Sequence, residues 1–204
     1  MKKAVISVCI LAALFFLAAC TDNTPVQGVE NNKTSEKVVT EGSNFTITEI
    51  KNKDGIVKYS YEVTDSKGEV MEQALCTEIP RVAQVNESLI GIRFTTENHV
   101  FVRYYDVERG LISPSYKNAF WGNDTLVARH DYDNGHYFVV QNIFDKNEYC
   151  VKTEVDCDSW QMTVVSAEEN ADGTALLVKY VPGDGGDSKM RTYSITLSID
   201  DKQQ

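Results

Sequence analysis

Hydrophobic and polar positions alternate with a period of two along much of the chain. The alternation is clearest in residues 57–63 (VKYSYEV) and 191–199 (RTYSITLSI), where it predicts β-strands with one buried and one solvated face. Residues 136–144 (HYFVVQNIF) are apolar on both parities, which predicts a central strand covered on two sides. Further strands are expected at 89–94, 100–105, 125–129, 149–155, 162–166 and 176–181. With no sustained helical stripe among them, the chain is predicted to be all-β.

Turn motifs divide these strands into four repeat-like units. In each unit a turn rich in Asn, Asp or Gly precedes a strand whose first apolar residue is Ile56, Leu89, Leu126 or Leu176. Those residue types suit tight turns because they tolerate positive φ or bond to their own backbone. The units predict an antiparallel meander of about ten to twelve strands, by the hairpin spacing typical of all-β domains. A small β-propeller is one such architecture, but Trp-Asp and Gly-His blade signatures are missing, so we favour a β-sandwich or barrel.

The N-terminus has the pattern of a targeting segment. Lys2 and Lys3 are followed by an uncharged run over residues 4–19, which is short for a spanning helix and typical of a signal peptide. The run ends in Leu17-Ala18-Ala19-Cys20 and resembles the lipobox of bacterial lipoproteins. The resemblance implies cleavage before Cys20 and transfer of diacylglycerol to its sulfur, so that acyl chains would anchor the protein in a lipid bilayer. An ordinary secretory signal or an uncleaved anchor is the alternative.

These patterns predict three regions: a lipoprotein signal peptide (1–19), a lipidated cysteine with a flexible polar tether (20–44), and a single all-β domain (45–204). The tether offers few apolar residues and no amphipathic period, so we expect it to stay disordered. Its 24 residues after the cysteine would span roughly 27 Å as a flexible coil. The expected location is extracytoplasmic, lipid-anchored to a bacterial membrane.

The charge balance excludes one class of partner. The chain has 20 basic and 30 acidic residues among 204, a net charge of −10. Loss of Lys2 and Lys3 with the signal peptide would make this −12. Phosphate backbones demand basic patches, so we expect no general affinity for nucleic acid. The acidic domain is also expected to stand off an anionic lipid surface.

Three cysteines, Cys76, Cys150 and Cys157, would remain in the mature chain. Outside the cytoplasm a disulfide can persist. In a straight strand Cys150 and Cys157 would lie about 23 Å apart, whereas a disulfide needs Cα atoms within about 7 Å. We favour a Cys150–Cys157 bridge made by a chain reversal near residues 153–155, with a bridge from one of them to Cys76 as the alternative. The remaining thiol is expected to be buried and inert.

The densest group of metal-ligand types comprises His130, Asp131, Asp133 and His136. These side chains could hold a divalent cation if the loop curled around it. Their spacing matches neither an EF-hand nor a His-x₃-His helix. Asn134-Gly135 lies between two strand patterns, which indicates a type I′ hairpin turn. We favour the turn over the metal site.

Aromatic residues crowd into residues 104–137, and Tyr116, Phe120 and Trp121 are the candidates for a binding surface. Aromatic side chains at loop ends can stack on sugars or anchor a protein partner. The alternative is that they fill the core and the cross-strand pairs of a twisted sheet. Trp121, which precedes a glycine and a turn, is the residue to test first.

The sequence lacks the common catalytic signatures, including Gly-x-Ser-x-Gly, His-Glu-x-x-His and a phosphate-binding loop. No catalytic residue or cofactor is therefore assigned. The leading hypothesis is a non-catalytic binding module that holds an envelope protein or glycan near the membrane. The alternatives are an envelope polysaccharide hydrolase that uses paired carboxylates and an accessory subunit of an envelope complex.

Overall fold

The computed structural model describes residues 34–96, 99–133, 135–157, 162–183 and 189–197. Throughout these ranges the regular structure consists of strands, sixteen of them, which confirms the all-β prediction. The described ranges contain no helix long and apolar enough to cross a membrane. The predicted signal peptide and lipobox, residues 1–20, lie outside the described residues.

The strands form four antiparallel sheets that follow one another along the chain. Sheet 1 contains β1 (Ser35–Glu41), β2 (Phe45–Lys51), β3 (Val57–Thr64) and β4 (Val70–Cys76). Sheet 2 contains β5 (Arg81–Gln84), β6 (Leu89–Thr96), β7 (His99–Asp106), β8 (Leu111–Ile112) and β9 (Tyr116–Lys117). Sheet 3 contains β10 (Ala119–Gly122), β11 (Leu126–Asp131), β12 (Tyr137–Asn142) and β13 (Cys150–Glu154). Sheet 4 contains β14 (Thr163–Glu169), β15 (Ala175–Val181) and β16 (Arg191–Thr196). Strand order follows chain order within each sheet, except that β9 also pairs with β7, and none of the sheets closes into a barrel in the described ranges.

The four-unit meander is as predicted, but it contains more strands than the pattern indicated. Strands β8 and β9 are two residues long, too short to show an alternation. Strand β1 lies inside the segment assigned to the tether, so residues 35–41 are part of sheet 1. Most of β1 is exposed, and it is held by backbone pairing to β2 from Ser35 to Glu41. A strand held by its backbone needs no hydrophobic pattern.

Successive sheets pack face to face, as in a β-sandwich extended to four layers. One hydrophobic cluster joins sheets 1 and 2, a second joins sheets 2 and 3, and a third joins sheets 3 and 4. Tyr104 and Tyr105 are neighbours on β7 and belong to clusters on opposite faces of sheet 2. A closed propeller would also pack sheet 1 against sheet 4, and none of the three clusters of described residues joins those sheets.

The inner sheets are covered on both faces, which explains the doubly apolar pattern of residues 136–144. On β12, Phe138 and Val140 face sheet 4, and Ile143, just beyond the strand, faces sheet 2. The hairpin between β11 and β12 is confirmed, but its last paired residues are Asp131 and Tyr137. The loop is therefore five residues long, and the expected two-residue type I′ turn is wrong. Gly135 has φ +116° within this loop, and Asn134 lies outside the described residues.

Candidate functional site

One face of sheet 2 extends beyond the layer that covers it. Arg81 on β5 is directly opposite Arg93 on β6, and Ala83 is opposite Gly91. Gly91 is in turn opposite Tyr104 on β7. Directly opposed residues of paired strands share a face, so these five residues belong to one face. It is the face toward sheet 3, since Tyr104 packs in the cluster between sheets 2 and 3.

The edge strand of sheet 3, β10, forms the opposite wall of a cavity of about 270 Å³. We call this cavity the β5–β10 groove. Its base comes from β5, β6 and β7. The lining of the groove includes Arg81, Ala83, Arg93, Tyr104, Phe120 and Trp121. All four consecutive residues of β10 line it. A strand presents alternate residues from its face but successive residues from its edge. The groove therefore runs along the free edge of β10.

Two glycines make room for the tyrosine at the base of the groove. A β-carbon at Gly122 would lie 2.2 Å from the Tyr104 hydroxyl oxygen, and one at Gly91 would lie 3.2 Å from the Tyr104 ring. Tyr104 is only 6% exposed. Burial, with a contribution from Tyr116, raises the pKa of Tyr104 to about 12. The base of the groove is therefore an uncharged phenol at neutral pH.

The groove holds two arginines that have no carboxylate partner among the described residues. The chain has six arginines, and four of them form ion pairs: Arg103 with Glu72, Arg109 with Asp106, Arg129 with Asp131, and Arg191 with Asp156. The guanidinium groups of Arg81 and Arg93 have no ion-pair or hydrogen-bond partner in the part of the chain that the structure describes. Both side chains are exposed. Like charges directly opposite on neighbouring strands are destabilising, and no ion pair or hydrogen bond among the described residues offsets this cost.

The predicted aromatic surface is divided by the structure. Phe120 and Trp121 are half-buried and line the groove, while they also pack against the cluster between sheets 3 and 4. Tyr116 is 4% exposed and donates its hydroxyl hydrogen to the Ile143 carbonyl. It is a core residue, and its assignment to a binding surface is wrong because β9 places it between sheets 2 and 3.

The candidate metal ligands separate in the same way. His130 is buried at the end of β11, with its Nε2 3.4 Å from the His136 Nδ1 and the two rings stacked. Burial, and then the neighbouring His136, lower the pKa of His130 to about 4. These two side chains supply two nitrogen ligands at most.

The two carboxylates of that candidate site are engaged elsewhere. Asp131 is 3.4 Å from Arg129 and 4.0 Å from Lys152, and Asp133 is 3.1 Å from Lys117. Among the described residues no group of three or more His, Cys, Asp or Glu is arranged to hold a metal ion. The four residues singled out as metal ligands do not converge.

The favoured Cys150–Cys157 disulfide does not form. It needed a reversal near residues 153–155, but β13 runs straight from Cys150 to Glu154 in register with β12. The Val155 amide continues this pairing by donating to the His136 carbonyl. Cys76 lies on β4 in sheet 1, and no disulfide joins any two of these three cysteines.

A second cavity, of about 320 Å³, lies between sheets 1 and 2. Its charged groups satisfy one another: Arg103 pairs with Glu72 and donates from Nε to the Ser115 hydroxyl at 3.0 Å. The Tyr105 hydroxyl donates to the second oxygen of Glu72, and burial followed by this hydrogen bond raises the pKa of Tyr105. This network ties β4 to β7 and leaves little charge for a ligand, in contrast to the β5–β10 groove.

Sequence reasoning missed Arg81 and Arg93, although a signal for their pairing was present. The sequence predicts a turn just before Leu89, and Arg81 and Arg93 are equidistant from Glu87 in that turn. A hairpin centred there places them opposite each other. No protein-family model matches the chain, and no curated protein matches it. The β5–β10 groove is thus identified by its geometry and charge.

Proposed function

We propose that the protein is an extracytoplasmic lipoprotein whose β domain is a non-catalytic binding module, with the β5–β10 groove as its ligand site. The observation that carries this proposal is the Arg81–Arg93 couple, which has no ion-pair partner in the described ranges and lies beside the aromatic wall of Phe120 and Trp121. An acidic protein could place carboxylates beside both arginines, as it does for the other four. Guanidinium groups kept free at a cavity are suited to a carboxylate or phosphate, to which they form charge-assisted, bidentate hydrogen bonds.

The chemistry of the lining supports binding over catalysis. The described residues that line the groove include no carboxylate, histidine or cysteine, which are the groups that most often transfer protons or attack a substrate. Tyr104 is protonated at neutral pH, and its raised pKa leaves too little phenolate to act as a general base. A polysaccharide hydrolase with paired acids would need a different site.

The anchor is part of the same proposal. Acyl chains on Cys20 would contribute about 0.8 kcal/mol per buried methylene, and more than one chain gives stable attachment. A Cys20→Ala variant, expressed in bacterial cells supplied with labelled palmitate, is expected to incorporate no label and to leave the membrane fraction. Incorporation at the normal level would contradict lipidation at this cysteine.

Ligand binding in the groove can be tested in the anchored protein by photo-cross-linking. We expect a photoreactive amino acid at Phe120 to form a discrete adduct with an envelope component, and one at Lys179, exposed on sheet 4, to form none. Arg81→Gln with Arg93→Gln should abolish the adduct at position 120. Equal labelling at both positions, or none at position 120, would contradict a ligand site in the groove.

A further inference from the structure

We infer that the ligand of the β5–β10 groove is an extended acidic peptide segment, which adds as a strand to the free edge of β10. The inference rests on the proposed function and names the class of partner. It depends on three features of the groove: an open strand edge, a shelf of small residues of sheet 2 beneath that edge, and two arginines beside the shelf that have no ion-pair partner among the described residues.

The open edge belongs to β10. Within the described strands β10 pairs with β11 alone, and its whole length borders the cavity. Part of the backbone amide and carbonyl groups of an edge strand point outward and are ready to pair with another chain. The pairing of β10 with β11 shifts register between Ala119 and Trp121, and outward groups on either side of that shift can pair with another polypeptide. A sugar ligand would instead stack on an open aromatic face, but Phe120 and Trp121 are half-buried against the core.

The shelf lies where sheet 3 stops short of covering sheet 2. Its centre is the directly opposed pair Ala83 and Gly91, the smallest side chains on that face. The Tyr104 ring occupies the space above Gly91, 3.2 Å from where a β-carbon would lie, so an added strand would meet Ala83 and this ring rather than the Gly91 backbone. A fifth strand beside β10 would lie over this pair and continue the layer, as successive sheets do elsewhere in the molecule.

The cations determine the composition of the added segment. Arg81 and Arg93 are two positions along their strands from Ala83 and Gly91, a spacing of about 7 Å. Residues i and i+2 of an added strand share a face and have the same spacing. An acidic side chain at i would therefore meet the arginines when an apolar side chain at i+2 lies over Ala83, Gly91 and Tyr104. The expected segment has an acidic and an apolar residue two positions apart, in the order acid–x–apolar for one strand direction and apolar–x–acid for the other.

The test uses the full-length chain in mild detergent and hexapeptides carrying a neutral dye. The probe has Glu at its second position, Leu at its fourth and Thr elsewhere; one control has Lys in place of Glu. A second control has Pro at the third position, which removes a main-chain donor without changing charge. We expect both controls to bind about tenfold or more weakly. Amide hydrogen exchange at Ala119–Gly122 should slow when the probe binds.

Matched variants locate the site. Arg81→Gln and Arg93→Gln should each lower the affinity for the Glu probe severalfold. Lys179→Gln makes the same change in charge on sheet 4 and should leave this affinity unchanged. If the Pro peptide binds as well as the probe, strand addition is wrong. If an oligogalacturonate binds through the arginines and the Glu peptide does not, the ligand is a carboxylated glycan, and the peptide inference fails while the binding module stands. If neither ligand binds and position 120 cross-links to nothing, both proposals fail.

Discussion

The unpaired arginines lead to a stability prediction that does not require the ligand. Arg81 and Arg93 are directly opposite on β5 and β6, and both are exposed. Changing either one to Glu replaces a like-charge pair with an opposite-charge pair at the same register. We therefore expect Arg81→Glu and Arg93→Glu each to increase the free energy of unfolding. The double variant restores a like-charge pair and should lose the gain.

The expected size follows from the geometry of the pair. A directly opposed charge pair contributes about 0.2–1 kcal/mol, and solvent exposure places this pair toward the lower end of that range. A gain of about 0.5 kcal/mol corresponds to a rise in Tm of roughly 1–2 °C for a domain of this size. Added negative charge on an acidic protein acts in the opposite direction. Lys179→Glu, which makes the same change in net charge on sheet 4, provides the baseline.

The assay is thermal unfolding of the full chain at low salt and again at about 1 M salt, where screening should remove the gain. Each single variant should melt above Lys179→Glu, and the double variant should fall below the sum of the two gains. Each single variant should also lose binding, because the arginine pair would be kept for a ligand at a cost in stability. If both single variants melt below Lys179→Glu at low salt, the arginines have stabilising partners, and the reasoning that makes the groove a ligand site is refuted.

Three further predictions test other parts of the structure. Burial and a second histidine lower the pKa of His130 to about 4, so between about pH 6.5 and 4 the folded state binds fewer protons than the unfolded state. The contribution of neutral His130 to folding stability is therefore complete above about pH 6.5 and is lost as the pH falls toward 4. In that window the free energy of unfolding, measured with urea, should depend on His130 by at most about 1.4 kcal/mol per pH unit. His130→Phe should reduce this pH dependence, and an unchanged pH dependence would contradict the burial of His130. Gly122→Ala should lower the free energy of unfolding in urea by about 1–3 kcal/mol, because the added methyl group overpacks against the Tyr104 hydroxyl. Adding Tyr104→Phe should recover part of that loss. An unchanged stability of Gly122→Ala would refute the contact. Burial and a nearby carboxylate raise the pKa of Cys76 to about 11, so its thiolate fraction falls about a hundredfold. Alkylation of the native protein, followed by mass mapping, should therefore label exposed Cys150 long before Cys76. A disulfide at either cysteine would contradict the structure.

Alternation in the sequence predicted the elements that bury one face. Residues 176–181 and 191–197 alternate because Leu176, Val178 and Ile195 enter the cluster between sheets 3 and 4 while their neighbours face solvent. Strand β1 left no such signal, since its backbone bonds to β2 and most of its side chains remain exposed. Local pattern therefore identifies the strands that build the core and misses those that complete a sheet edge.

Features that depend on packing between sheets were harder to predict. Tyr116 and Trp121 are both aromatic and close in sequence, yet one is core and the other lines the groove. Their difference arises from which layer covers each strand, and that is decided by residues far along the chain. The disulfide prediction failed for a related reason: the direction of β13 after Cys150 is set by its pairing with β12, which cysteine spacing does not show.

The arginine pair lies between these two cases. Its register follows from a local hairpin, because Arg81 and Arg93 are equidistant from the centre of an identifiable turn. Its significance does not follow locally, because a chain with 30 carboxylates gives every arginine a good chance of a partner, and four of the six find one. Only the packing of sheet 3 shows that no described carboxylate reaches this pair, and the same packing leaves the edge of β10 open beside it. Two costly features, an unpaired cation pair and an open strand edge, thus occur at one place, and a single acidic strand would satisfy both.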